Sequence, residues 1–141
     1  MLNKELTAVT SHILDKNSAL NELSEYVSDI ASQMNPELRK ELVHLKHKIS
    51  SNINLDDDWE KFRLHFSKVN PGFFETLEEK CPDLTDLEKK HCAFASLKLN
   101  NKDVAKLLNI EPASVKMARY RIRKKFSSST EDLLLRQLTG I

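Results

Sequence analysis

"NNKDVAKLLNIEPASVKMARYRIRKKF", residues 100–126, reads as two helices and the turn between them. Asn100 and Asp103 open the first, which ends near Asn109. Glu111-Pro112 opens the second, since proline at the first helical position gives up an N–H that has no partner there anyway. From Ala113 to Phe126 this second helix carries six Lys/Arg and no acid, in a chain of 141 residues whose net charge is only +1. The charge is not uniform around the helix. At 100° per residue Val115, Ala118, Ile122 and Phe126 fall on one narrow apolar stripe, while Met117, Tyr120, Arg121 and Lys124 point away and Lys116 and Arg123 flank it. Such a helix packs by one side and projects a cationic face.

That face has the chemistry of a double-stranded DNA reader. Lys and Arg neutralise phosphates and release counterions, and an α-helix fits the major groove. Tyr120 and Met117 add hydrogen-bonding and apolar reach toward base edges. A preceding helix and a turn of about four residues make a helix-turn-helix. Arg119 and Arg123 lie nearer the packed side, where either DNA or Glu88 could be their partner.

The rest of the chain also reads as helical. There are two glycines and four prolines, and no alternating segment is followed by a hairpin signal. Upstream of the basic helix, Thr85 and Glu88 form a capping box for a helix to about Leu97. Phe73 to Lys80 forms another, closed by Cys81-Pro82. Trp59, Phe62, Phe66 and Val69 share a face of a helix spanning 59–69, with Asp56, Asp57 and Asp58 at its positive end. Downstream, Ser129 or Thr130 caps a short terminal helix through Leu133, Leu134 and Leu138.

Residues 2–34 carry a heptad: Leu6, Ile13, Leu20, Val27 and Met34 at a, with Leu2, Val9, Lys16, Leu23 and Ile30 at d. Only Lys16 breaks it. A sustained heptad predicts a coiled coil between two copies; an antiparallel hairpin within one chain, turning near Lys16-Asn17-Ser18, is the alternative. Asn35-Pro36 then starts a second helix, in which Leu38, Leu42, Leu45 and Ile49 continue the pattern.

Residues 84–126, "LTDLEKKHCAFASLKLNNKDVAKLLNIEPASVKMARYRIRKKF", resemble the LuxR/FixJ-type helix-turn-helix of transcriptional regulators. The shared features are Leu-Thr-x-x-Glu, Lys-Asp-Val-Ala after a polar cap, Ile-x-Pro-x-Ser-Val and the basic stretch closing on a bulky apolar residue. The resemblance implies that Lys116, Met117 and Tyr120 face base edges. It implies phosphate contacts for Asn101, Lys102, Arg121, Lys124 and Lys125. Residues 56–85 are similar to segments preceding this domain in large bacterial sensor-regulators, which implies a C-terminal cytoplasmic part with its sensor domain outside this chain.

Other chemistries find little support. Two cysteines, Cys81 and Cys92, are too far apart for a Cys-x-x-Cys pair. His44 and His47 share a helix face without completing a metal set. No phosphate-cradling glycine loop and no nucleophile–base spacing suggests an enzyme, and no cofactor is implied. No stretch is apolar enough for a membrane span, and the first residues lack a signal-peptide pattern, so a cytoplasmic location is expected. The sequence therefore predicts an all-α protein with coiled-coil and dimerisation helices over 1–53, a helical connector over 54–82 and a four-helix DNA-binding domain over 83–141. Its expected role is that of a homodimeric, sequence-specific transcriptional regulator, with RNA polymerase as a further partner. A coiled-coil adaptor that binds a protein, or a module like region four of sigma factors, is the competing expectation.

Overall fold

The computed structural model describes residues 4–141 and is entirely helical, with eight helices and no strand among the described residues. They are α1 (Lys4–Ser32), α2 (Pro36–Ser51), α3 (Leu55–Val69), α4 (Phe73–Lys80), α5 (Asp86–Ser96), α6 (Asn101–Leu108), α7 (Pro112–Ser127) and α8 (Asp132–Thr139). Leu2, the first d position of the heptad, lies outside the described residues.

α1 is one unbroken helix of 29 residues. Its first half packs against α3 and α6, and its second half against α2. The chain reverses at residues 33–35, where the Asn35 side chain accepts from the Leu38 N–H at 3.0 Å and Pro36 begins α2. No turn forms near Lys16, because both polar residues there have tertiary partners. Lys16 Nζ reaches both oxygens of Asp58 in α3, at 2.7 and 2.8 Å. The Asn17 side-chain amide donates to the Lys106 carbonyl at the end of α6, at 2.9 Å. Of the heptad, Leu6 and Ile13 join the main core, and Val27 is buried where α1 meets α2.

α3 begins at Leu55, ahead of the expected Trp59. Asn54 is its cap, accepting from the Asp57 N–H at 3.1 Å, so the three aspartates occupy the first turn, where the helix dipole favours them. Trp59, Phe62 and Phe66 then meet Phe73 and Phe74 of α4 and Phe94 of α5 in one aromatic cluster; the Phe62 and Phe94 ring centroids are 4.7 Å apart. Gly72, at φ +78°, takes the left-handed turn between α3 and α4 that other residues resist. The same core continues through Leu84, Cys92, Val104, Val115, Ile122, Phe126 and Leu135. Residues from 1–53, 54–82 and 83–141 thus contribute to one apolar interior.

The capping box at Thr85 and Glu88 is formed in both directions, at 3.1 and 2.9 Å. α8 starts later than the expected Ser129 or Thr130 cap. The Ser129 hydroxyl is taken up by donating to the Lys80 carbonyl, at 3.0 Å, and accepting from the Glu131 N–H.

Candidate nucleic-acid interface

α6 and α7 are set by their ends. Asn100 caps α6, accepting from the Asp103 N–H at 2.8 Å. α6 closes with Asn109 in the left-handed region, φ 54°, and Ile110 N–H reaches back to the Ala105 carbonyl at 2.9 Å. This is a Schellman-type ending, which Asn tolerates better than most residues. Glu111 precedes α7 without making a side-chain cap bond, and Pro112 leads into the helix.

Val115, Ala118, Ile122 and Phe126 are all buried. Full burial of an aliphatic or aromatic side chain contributes roughly 1.5–3 kcal/mol, enough to fix which side of α7 faces inward. α7 packs by this stripe on α5, α6 and α8. The opposite side is open: Lys116, Met117, Tyr120, Arg121 and Lys124 are exposed, Met117 by 55% and Tyr120 by 48%. The Lys124 ammonium lies over the Tyr120 ring, 5.2 Å from its centroid, joining the phenol and the charge into one patch. Lys102 is exposed at the start of α6; Asn101 beside it is half-buried, with its side-chain oxygen enclosed and unpaired among protein groups.

Lys125 is placed differently from the other predicted contacts. Its Nζ sits 2.5 Å from Glu88 Oε1 and donates to the Asp83 carbonyl at 2.8 Å. Burial raises the Glu88 pKa, but the bonds from Lys125 and Thr85 outweigh it, and the carboxyl is held below its usual range. Glu88 is therefore partnered by Lys125, not by Arg119 or Arg123. Arg119 instead donates to the Leu99 carbonyl at 2.9 Å and braces the turn between α5 and α6.

Two scaffold features were not legible beforehand. His91 is buried in α5, where desolvation and the charges of Arg119 and Arg121 push its pKa down to about 4, so it is neutral at pH 7. Cys92 beside it is pushed up to about 12 by burial and is chemically quiet. The other feature is a cleft of about 560 Å³ between α1 and the α6–α7 turn. Glu22 and Glu25 line one wall, and Lys102, Lys106 and Asn109 the other. A heptad shows which side of α1 is apolar, but it cannot show that its acids border the α6–α7 pair.

Among the described residues no helix is long and apolar enough to cross a membrane. No protein-family model, curated protein or solved structure matches the chain.

Proposed function

We propose that the protein is a homodimeric, sequence-specific transcriptional regulator that binds double-stranded DNA in the cytoplasm. The α6–α7 pair is its helix-turn-helix, of the LuxR/FixJ type. α7 enters the major groove, with Lys116, Met117 and Tyr120 toward base edges. Lys102, Arg121 and Lys124 engage phosphates, together with Asn101 at the start of α6. Lys125 serves chiefly to hold Glu88, with little charge left for DNA. The N-terminal helices join two protomers so that two recognition helices address two half-sites. Signal input arrives from a domain outside this chain, and RNA polymerase is a further partner.

The observation that carries this reading is the division of α7. Four apolar side chains are buried on one side, and Lys116, Met117, Tyr120, Arg121 and Lys124 are open on the other. A solvated charge run has no need of a tyrosine and a methionine, each about half exposed, at the centre of its cationic face.

The test is duplex binding by fluorescence anisotropy, using sequences recovered by in vitro selection. With about six phosphates neutralised, by three cations from each protomer, affinity falls by roughly three powers of ten between ~50 and ~200 mM salt. Absence of duplex binding at ~50 mM salt, with any selected sequence, favours a protein-binding adaptor instead.

A further inference from the structure

A pocket of about 140 Å³ opens between α1, α3, α5 and α6. Leu55, Trp59 and Phe62, which share one face of α3, line one side of it. Leu87, Lys90 and Phe94, on one face of α5, line the other. Its inner wall is closed: Phe62 and Phe94 are buried with ring centroids 4.7 Å apart, and Ile13 of α1 and Leu107 of α6 are buried beside them. Its lip is open, with Leu55 exposed by 38% and Leu87 by 50%. A concave apolar wall with a few polar groups is the usual form of a small-molecule site.

Three ionisable groups border this pocket. Asp58 is taken, since Lys16 holds both of its oxygens. Asp56 and Lys90 are not. Among the described residues neither has an ion-pair partner, and the two do not pair with each other. The Lys90 ammonium lies over the Trp59 ring, 5.2 Å from its centroid, and Asp56 is exposed in the first turn of α3. One free cation and one free anion thus stand at the edge of an aromatic cavity.

We propose that this pocket binds a free α-amino acid with a single unsubstituted aromatic ring, chemically phenylalanine. Ring size follows from the volume: an apolar cavity of about 150 Å³ accepts benzene, whereas an indole overfills it. The bare ring follows from the inner wall, where no described residue offers a free polar group to a buried hydroxyl. The two charges follow from the mouth. The α-carboxylate meets Lys90 and the α-ammonium meets Asp56. A ring compound with one charge satisfies one of these groups and is repelled by the other. A phenyl side chain inside a polypeptide brings neither charge, so the occupant is the free amino acid and not a docked protein. The inference does not rest on the DNA-binding reading, because the described lining includes no residue of α7. Leu107 stands in the last turn of α6, so a ligand against it lies behind the turn that leads into α7.

Trp59 is the chain's only tryptophan and lines the pocket, so its emission, excited where phenylalanine does not absorb, reports occupancy. Titrating the full chain with phenylalanine, without DNA, is expected to give a saturable change that is half complete at ~1 mM or below. Phenylpropionate and phenylethylamine each lack one charge, and alanine lacks the ring; each should bind at least roughly tenfold more weakly. Calorimetric titration of Lys90→Gln and of Asp56→Asn should show losses of phenylalanine affinity of the same order, with the thermal transition of the unliganded protein retained. No saturable change up to ~10 mM overturns the proposal. So does phenylpropionate or phenylethylamine binding as tightly as phenylalanine, or an affinity unchanged in both variants, since each marks an unselective apolar cleft. N-acetylphenylalanine amide binding as tightly as the free amino acid overturns it in favour of a docked protein side chain. Because the titration is read without DNA, loss of duplex binding and loss of the ligand are separate results.

Discussion

Lys16 and Asp58 clamp α1 to α3: the Lys16 ammonium lies 2.7 and 2.8 Å from the two Asp58 oxygens, and Asp58 is buried. Breaking one side of an enclosed pair strands the other, although Lys16 is open enough to recover some hydration. Asp58→Ala is therefore expected to cost about 1–3 kcal/mol in urea denaturation. Lys16→Met/Asp58→Leu should recover much of that loss, because neither charge is then stranded. Amide exchange in the first half of α1 should rise in the single variant and not in the double.

The Glu88–Lys125 pair separates a scaffold role from the proposed DNA contacts. Lys125→Ala leaves a buried carboxylate with only its Thr85 bonds, and a loss of about 1–3 kcal/mol is expected. Lys124→Ala, on the open side, should change stability by no more than about 0.5 kcal/mol. It should nevertheless weaken binding to all duplexes alike and flatten the salt dependence by about two charges, one for each protomer of the proposed dimer. Paired denaturation and anisotropy measurements distinguish the two neighbours.

Tyr120 lies at the centre of the open face, and Tyr120→Ala is expected to relax selectivity at one base position by about 1–3 kcal/mol. The salt slope should remain that of the unmodified protein. Selection of bound sequences with both proteins checks this. If Tyr120→Ala and Lys124→Ala behave identically, the division into reading and anchoring residues is wrong.

His91 gives stability a sign with pH. Its pKa is lowered in the folded protein from 6.5 to about 4, so folding favours the neutral ring. That contribution is complete above about pH 6.5 and is lost as pH falls toward 4, by as much as about 3 kcal/mol. Glu88, also lowered, adds a loss at still lower pH as it protonates. Urea denaturation at pH 7.5 and pH 5 should show the decline, and His91→Leu should remove most of it over that interval.

Glu22 and Glu25 stand across the cleft from Lys102 and Lys106. If α6 and α7 bind DNA as proposed, phosphates approaching the start of α6 meet their repulsion. Glu22→Gln/Glu25→Gln is expected to tighten non-specific duplex binding a few-fold at ~50 mM salt, with the difference shrinking at ~300 mM as screening increases. Anisotropy at the two salt concentrations measures it.

The local signals read well where chain neighbours decide the outcome. Asn35 and Asn100 cap as their spacing suggests, the Thr85 box closes, and the stripe of α7 is buried. What stayed hidden depends on distant partners. Lys16 looked like a defect in a heptad because its answer, Asp58, is 42 residues away and 2.7 Å off. Lys125 looked like one more basic contact because its periodicity is ambiguous, and only packing against α5 shows that Glu88 claims it. Lengthwise patterns give the apolar side of a helix, not the neighbour that side will meet.

The bond from Asn17 to the Lys106 carbonyl has a mechanical consequence. α1 is a rod about 43 Å long, and Asn17 lies near its midpoint, fastened to the end of α6. Leu6 and Ile13 hold the first half of the rod in the core, and Lys16 ties it to α3, so α1 and the end of α6 belong to one rigid frame. The turn that leads into α7 is thereby fixed from behind by a residue some ninety positions earlier in the chain.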